Sequence, residues 1–161
     1  FSSIASDIRK STLALFLSEV LYKSIQAGEA NTELFRFMEN TFRYLEQQDS
    51  GVEYFHLHFL LKLSLHLGFY PNGMQDGEAR YFDLREGRFS LVIPSHPDYL
   101  DESLSHDFSR VSNCHAGDLP GLAMSRSRRQ ELLNALIIYY QIHLNGLGTI
   151  RSAEILREVF S

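Results

Sequence analysis

The sequence predicts a mainly α fold, a helical domain of about five to six helices with one small β-hairpin inserted. Two observations carry the prediction. Apolar residues recur at steps of three and four over successive segments, each bounded by capping or breaking residues. One stretch, Tyr81 to Val92 (YFDLREGRFSLV), instead alternates and turns like a two-stranded ribbon. The chain has 161 residues, which suits a single domain able to bury its own core without a disulfide or metal.

Residues 4–26 read as the first helix, with Leu13, Phe16, Leu17, Val20 and Leu21 on one face. Gly28 is placed to end it. Asn31 or Thr32 can cap the second helix, whose apolar face holds Leu34, Phe37, Met38, Phe42 and Leu45. Ser50 and Glu53 have capping-box spacing before a third helix running to about Leu67. That helix is apolar nearly all round, the pattern of a central helix. Gly68 and Pro71 stop it.

In the ribbon, Tyr81, Asp83 and Arg85 alternate with Phe82 and Leu84, Gly87 serves the turn, and Phe89, Leu91 and Ile93 form the return strand. An isolated hairpin is barely stable in water, so Tyr81, Phe82 and Phe89 are expected to fasten it to the helices. Residues 98–109 suggest a short acidic helix, and 113–124 a loop with little helical promise. Ser125 or Ser127 can cap a long helix to about Leu144, with Leu132, Leu133, Leu136, Ile137, Tyr140 and Leu144 as its stripe. Thr149 can cap a last helix using Ile150, Ala153, Leu156, Val159 and Phe160.

Chemistry is sparse. The histidines show no metal-ligand spacing, so neither metal nor cofactor is expected. Cys114 beside His115 is the one nucleophile–base pair, and sequence neighbours rarely face each other. No phosphate loop, dinucleotide fingerprint or nucleophile elbow occurs. No enzyme is expected. A single cysteine and no apolar run of membrane-spanning length point to a cytoplasmic protein that does not span a membrane.

The net charge of −5 argues against strong autonomous nucleic-acid binding. The charge is uneven, however. Residues 98–118 hold five acids and one base, whereas 125–161 hold five arginines against three glutamates. Arg126, Arg128 and Arg129 stand at a helix start, where the macrodipole disfavours cations. They are candidates for phosphate contact, or for pairing with the acidic segment 98–107. On the third helix, Lys62 lies one turn from His58 and one from His66, a cationic stripe suited to an acidic, hydrophobic peptide.

The order of segments LALFLSEVLYKSI, ELFRFMENTFRYL, FHLHFLLKLSLHLGFYPN, a hairpin, and HLNGLGTIRSAEILREVF resembles the C-terminal helical domain of the RecO recombination-mediator family. Ser18–Glu19, the ELF start of the second helix, LGFYP, and the Gly146, Arg151–Ser152, Leu156 spacing carry it. The resemblance spans residues 1–161. It implies an upstream oligonucleotide-binding barrel, consistent with a chain that starts at Phe1 as a piece of a longer protein. It implies a non-catalytic role in DNA repair and recombination, nucleoid-associated, promoting recombinase loading and strand annealing. The implied partners are the acidic tail of single-strand-binding protein, RecR, and single- and double-stranded DNA.

On this resemblance, the tail's terminal ring enters a pocket on the first and third helices. Arg9, His58, Phe59 and Lys62 receive it, and Arg126, Arg128 and Arg129 contact DNA phosphates. Many members carry four cysteines around the hairpin as a zinc module. All four positions are empty here, so the ribbon looks like a metal module that relies on packing. Many members also carry Arg-Phe-Glu where this chain has His58-Phe59-Leu60. The alternative reading is a helical ligand-binding or dimerisation domain of a bacterial regulator.

Overall fold

The structure, a computed structural model, describes residues 2–25, 31–73 and 79–160. The first predicted helix divides at Asp7 into α1 (Ser2–Ser6) and α2 (Ile8–Ser24). Asp7 adopts extended backbone angles and its carboxylate accepts from the Arg9 N–H at 2.8 Å, a cap that starts a new helix. The start of α1 is held from outside, because Glu46 accepts from the N–H groups of Ser3 (2.6 Å) and Ile4 (2.7 Å). Gly28 lies outside the described residues.

Helix α3 (Thr32–Gln47) begins at Asn31, whose side chain accepts from Glu33 and Leu34. Leu34, Thr41 and Leu45 are buried, and Phe37, Met38 and Phe42 flank them half-buried. The predicted Ser50–Glu53 box is not how the next helix starts. Gly51 takes φ 74° and leads into a 3-10 turn, Val52–Tyr54, before α4 (Phe55–Leu67). A Cβ at Gly51 would lie 2.6 Å from Pro120 Cγ, so close packing adds to the positive φ in requiring glycine. Gly68, at φ 92°, ends α4 as predicted. Helix α4 buries Phe55, His56, Leu57, Phe59, Leu60, Leu61, Leu63 and Ser64.

The ribbon gains a strand. β1 (Tyr81–Asp83) pairs antiparallel with β2 (Arg88–Ser90) and also with β3 (Tyr99–Leu100), giving the order β2-β1-β3. Asp83 organises the turn, its Oδ1 accepting from the N–H groups of Arg85 and Glu86 at 2.9 Å each. Its Oδ2 meets His96 Nε2 at 3.0 Å. The return strand stops at Ser90, short of the expected Ile93, and Leu91, Val92 and Ile93 are exposed.

Asp101 caps α5 (Glu102–Asn113), a helix starting slightly later than predicted. Ser105 joins α5 to the sheet, accepting from the Phe82 N–H and donating to the Leu100 carbonyl. Residues 116–122, expected as a plain loop, form a 3-10 segment whose Leu119 and Leu122 are buried. Those two apolar anchors supply what local propensity lacks. Ser125, the first of the two serines considered, caps α6 (Arg126–His143).

Phe82 is fully buried, stacked on Phe108 at 4.5 Å and edge-on to Tyr139 at 5.5 Å. Phe89 lies 4.9 Å from Phe82 and joins the same cluster. Aromatic packing therefore fastens the ribbon to α5 and α6, as the sequence suggested. Tyr81 is different: it is half-buried, and its hydroxyl donates to Glu102 at the start of α5.

Thr149 does not cap α7 (Ser152–Val159). Glu19 of α2 does so from across the fold, accepting from the N–H groups of Arg151 (3.0 Å) and Ser152 (2.7 Å) and from the Ser152 hydroxyl (2.7 Å). One continuous core runs through α2, α4, α5 and α6, with α7 packed on α2.

Candidate functional site

The turns of α3 and α4 leave a groove of about 250 Å³ between them. Two stacked aromatic pairs wall it: Phe37 on Phe59 at 5.6 Å and Tyr44 on Phe55 at 5.9 Å. Phe37 and Tyr44 lie seven residues apart, two helical turns along one side of α3, beside rather than on its buried stripe. Sequence reasoning placed Phe37 in the core and did not single out Tyr44; the seven-residue repeat was the available signal.

His58, Phe59 and Lys62 line this groove together. His58 Nε2–H donates to the Cys114 carbonyl at 3.0 Å, which fixes the ring. Burial, then the Lys62 charge, lower its pKa, partly offset by that carbonyl, so His58 is a neutral wall of the groove. Lys62 forms no ion pair with a described residue, and its ammonium lies 5.9 Å from the Tyr70 ring centroid. It is the cation of the groove. His66, the third member of the expected stripe, packs its ring on Phe37 at 4.5 Å.

Arg9 does not join these residues. It sits in the first turn of α2, exposed, paired with Asp7 at 3.4 Å. The groove is accordingly built on the second and third predicted helices, not on the first and third.

The three arginines at the start of α6 separate. Arg128 turns to acids, 3.1 Å from Asp107 and 3.1 Å from Glu131, and it donates to the Ser103 hydroxyl. For this residue, pairing with the acidic 98–107 segment holds. Arg129 donates to the Met124 carbonyl at 2.9 Å and lies over the Tyr54 ring. Arg126 is exposed, with no hydrogen bond or ion pair to a described residue. Arg126 and Arg129 line a small cleft with Arg157 of α7 and His56 of α4. Arg157 is a residue that sequence reasoning missed, since nothing local connects α7 to the start of α6.

Cys114 is buried, and its thiol donates to the His115 carbonyl at 3.2 Å. Burial, then the Asp118 charge, push its pKa up, the opposite of an activated nucleophile. Among the described residues no group of three or more His, Cys, Asp or Glu side chains could hold a metal, and no helix is long and apolar enough to cross a membrane.

No solved structure matches this chain. The chain is 36% identical over its whole length to the DNA repair protein RecO of Flavobacterium psychrophilum and spans 66% of that protein. It is 37% identical to the RecO of Flavobacterium johnsoniae, again spanning 66%, and 31% identical to that of Phocaeicola vulgatus, spanning 67%. The family model described as "Recombination protein O C terminal" matches residues 5–149. With four-fifths and more of its length accounted for in this way, the chain belongs to the RecO family of DNA repair proteins, in the C-terminal part of that family's sequence.

Proposed function

We propose that this chain is the non-catalytic binding domain of a recombination mediator, and that the α3–α4 groove receives the acidic, aromatic-ended tail of single-strand-binding protein. The observation that carries the reading is the union of two stacked aromatic pairs with one unpaired cation, Lys62, in a single groove. A terminal ring would slot against Phe37 and Phe59, and the adjoining carboxylates would lie toward Lys62. His58 contributes shape and one hydrogen-bonding nitrogen rather than charge.

In this reading DNA and RecR are further partners of the whole protein, whose relatives extend a third beyond the matched region. The ligand-binding regulator reading has less support. The relatives that match over the whole chain are DNA repair proteins.

The test is fluorescence anisotropy with a labelled peptide that ends in several aspartates and a phenylalanine. Binding should be about micromolar or weaker and fade with salt. Absence of binding at low salt, or binding indifferent to Lys62→Glu, would overturn the reading.

A further inference from the structure

The outer face of α2 is not that of a helix meant for water. Ile8, Ser11, Leu15, Ser18, Tyr22 and Ile25 recur at steps of three and four, opposite the buried stripe. None of the six is charged. Tyr22 is 84% exposed, Ile8 69% and Leu15 51%, and these three stand seven residues apart. A surface helix ordinarily turns charged groups outward. An outer face with a seven-residue apolar repeat has instead the pattern of a helix that packs on another helix.

The shape of the face points the same way. Ser18, Leu21, Tyr22 and Ile25, at i, i+3, i+4 and i+7, surround a hollow of about 350 Å³ that Met38 and Phe42 of α3 also line. Four residues in that spacing form the hole that receives one side chain of a facing helix. The charged residues that flank the hollow pair off, Glu19 with Lys23 on α2 at 3.1 Å and Glu39 with Arg43 on α3 at 2.6 Å. Nothing there selects an acidic peptide or a nucleic acid. The hollow calls for an apolar side chain on a helix face without charge, and α2 carries one itself in Leu15, on the same face and one turn before Ser18.

We propose that a second copy of this chain covers the face, two α2 helices packing antiparallel about a two-fold axis at Ser18, with Leu15 of each copy entering the hollow of the other. The contact is isologous, so one patch supplies both knob and hole. In this register Ser18 meets its equivalent at the axis, where a small side chain lets the backbones approach, and Ser11 comes opposite Ile25 of the other copy. One face of a 17-residue helix, about 25 Å long, offers less than the ~800 Å² per partner of a standard interface. The dimer is therefore weak, with a dissociation constant of about 100 µM. This face is separate from the α3–α4 groove, and its pairing does not depend on what the groove binds.

The test is sedimentation equilibrium of the 161-residue chain from about 10 µM to about 1 mM, a range that brackets the expected constant. The average mass should rise with concentration from 18.5 kDa toward twice that value. Leu15→Glu alters an exposed residue outside the core, so the fold survives, and it should keep the chain monomeric throughout. Lys62→Glu, in the groove, should leave the association unchanged. Ser18→Cys checks the register, because Cys114 is buried and the new thiol lies on the axis. Under mild oxidation it should cross-link two chains, and adding Leu15→Glu should prevent this. Ser127→Cys, on the exposed first turn of α6, should not cross-link. A chain still monomeric at the highest concentration, association indifferent to Leu15→Glu, or equal cross-linking through Ser127→Cys would overturn the proposal. Peptide binding in the groove would survive each of these results, so the two failures can be told apart.

Discussion

His96 Nε2 lies 3.0 Å from the Asp83 carboxylate, and the Asp98 N–H donates to the other ring nitrogen at 3.1 Å. A nitrogen that accepts from a backbone N–H carries no proton of its own. The imidazole proton therefore sits on Nε2 and is donated to Asp83. Through this ring, Asp83 joins the hairpin turn to the segment leading into β3.

Asp83→Ala removes three hydrogen bonds from a residue only 7% exposed and should destabilise the chain by about 2–3 kcal/mol. His96→Ala should cost less, because Asp83 keeps its two backbone donors. Urea denaturation of both variants checks the order. A larger loss for His96→Ala would show that the turn is not the main user of the carboxylate.

Phe82→Ala should be among the more damaging substitutions, at about 3–5 kcal/mol. The ring is fully buried among Phe89, Phe108 and Tyr139, where few neighbours could close the space. Amide exchange of the β1 and β3 residues should rise along with the global loss.

Glu19→Ala should cost about 1–2 kcal/mol by uncapping α7, and Glu19→Gln rather less, since one acceptor oxygen remains. Burial works to raise the Glu19 pKa, but hydrogen bonds from Ser152 and Arg151 and the Lys23 contact outweigh it and hold the pKa at about 2. The folded value is depressed, so this stabilisation is complete above the ordinary value of 4.5 and is lost as pH falls toward 2. The acid limb of a stability–pH curve should flatten in Glu19→Gln over that window.

His56 acts in a different window. Burial, then the Arg129 charge, lower its pKa from 6.5 to about 3. Between those values the unfolded chain takes up a proton that the folded chain refuses. Stability should therefore fall as pH drops below 6.5. His56→Phe should remove this part of the pH dependence, leaving the lower Glu19 window intact. Thermal melts across pH 7 to 4 would reveal an unchanged slope if the assignment is wrong.

Most helix faces and several caps that depend on near neighbours were legible in the sequence, although the local Asp7 cap was missed and the Ser50–Glu53 box did not form. Asn31, Ser125 and Gly68 act within a turn of where they stand, and each does what its chemistry predicts. The other misses depended on distant partners. Thr149 looked like the cap of α7 because Glu19, 133 residues from Ser152, is invisible locally. Tyr139 fell off the predicted stripe of α6, yet it is buried because the ribbon covers that side. β3 is two residues long and shows no period at all. The groove was half legible: His58, Phe59 and Lys62 share a helix, but the α3 wall and the exclusion of Arg9 follow from packing.

The long reach between Glu19 and Ser152 also orders events during synthesis. Helix α2 emerges first, and the backbone donors that its carboxylate holds follow 132 and 133 residues later. A ribosome-bound chain can assemble the helices between them, but it cannot close the clasp until Arg151 and Ser152 have left the exit tunnel. Nascent chains stalled before residue 151 should therefore remain open to proteases at the α2 surface that α7 later covers.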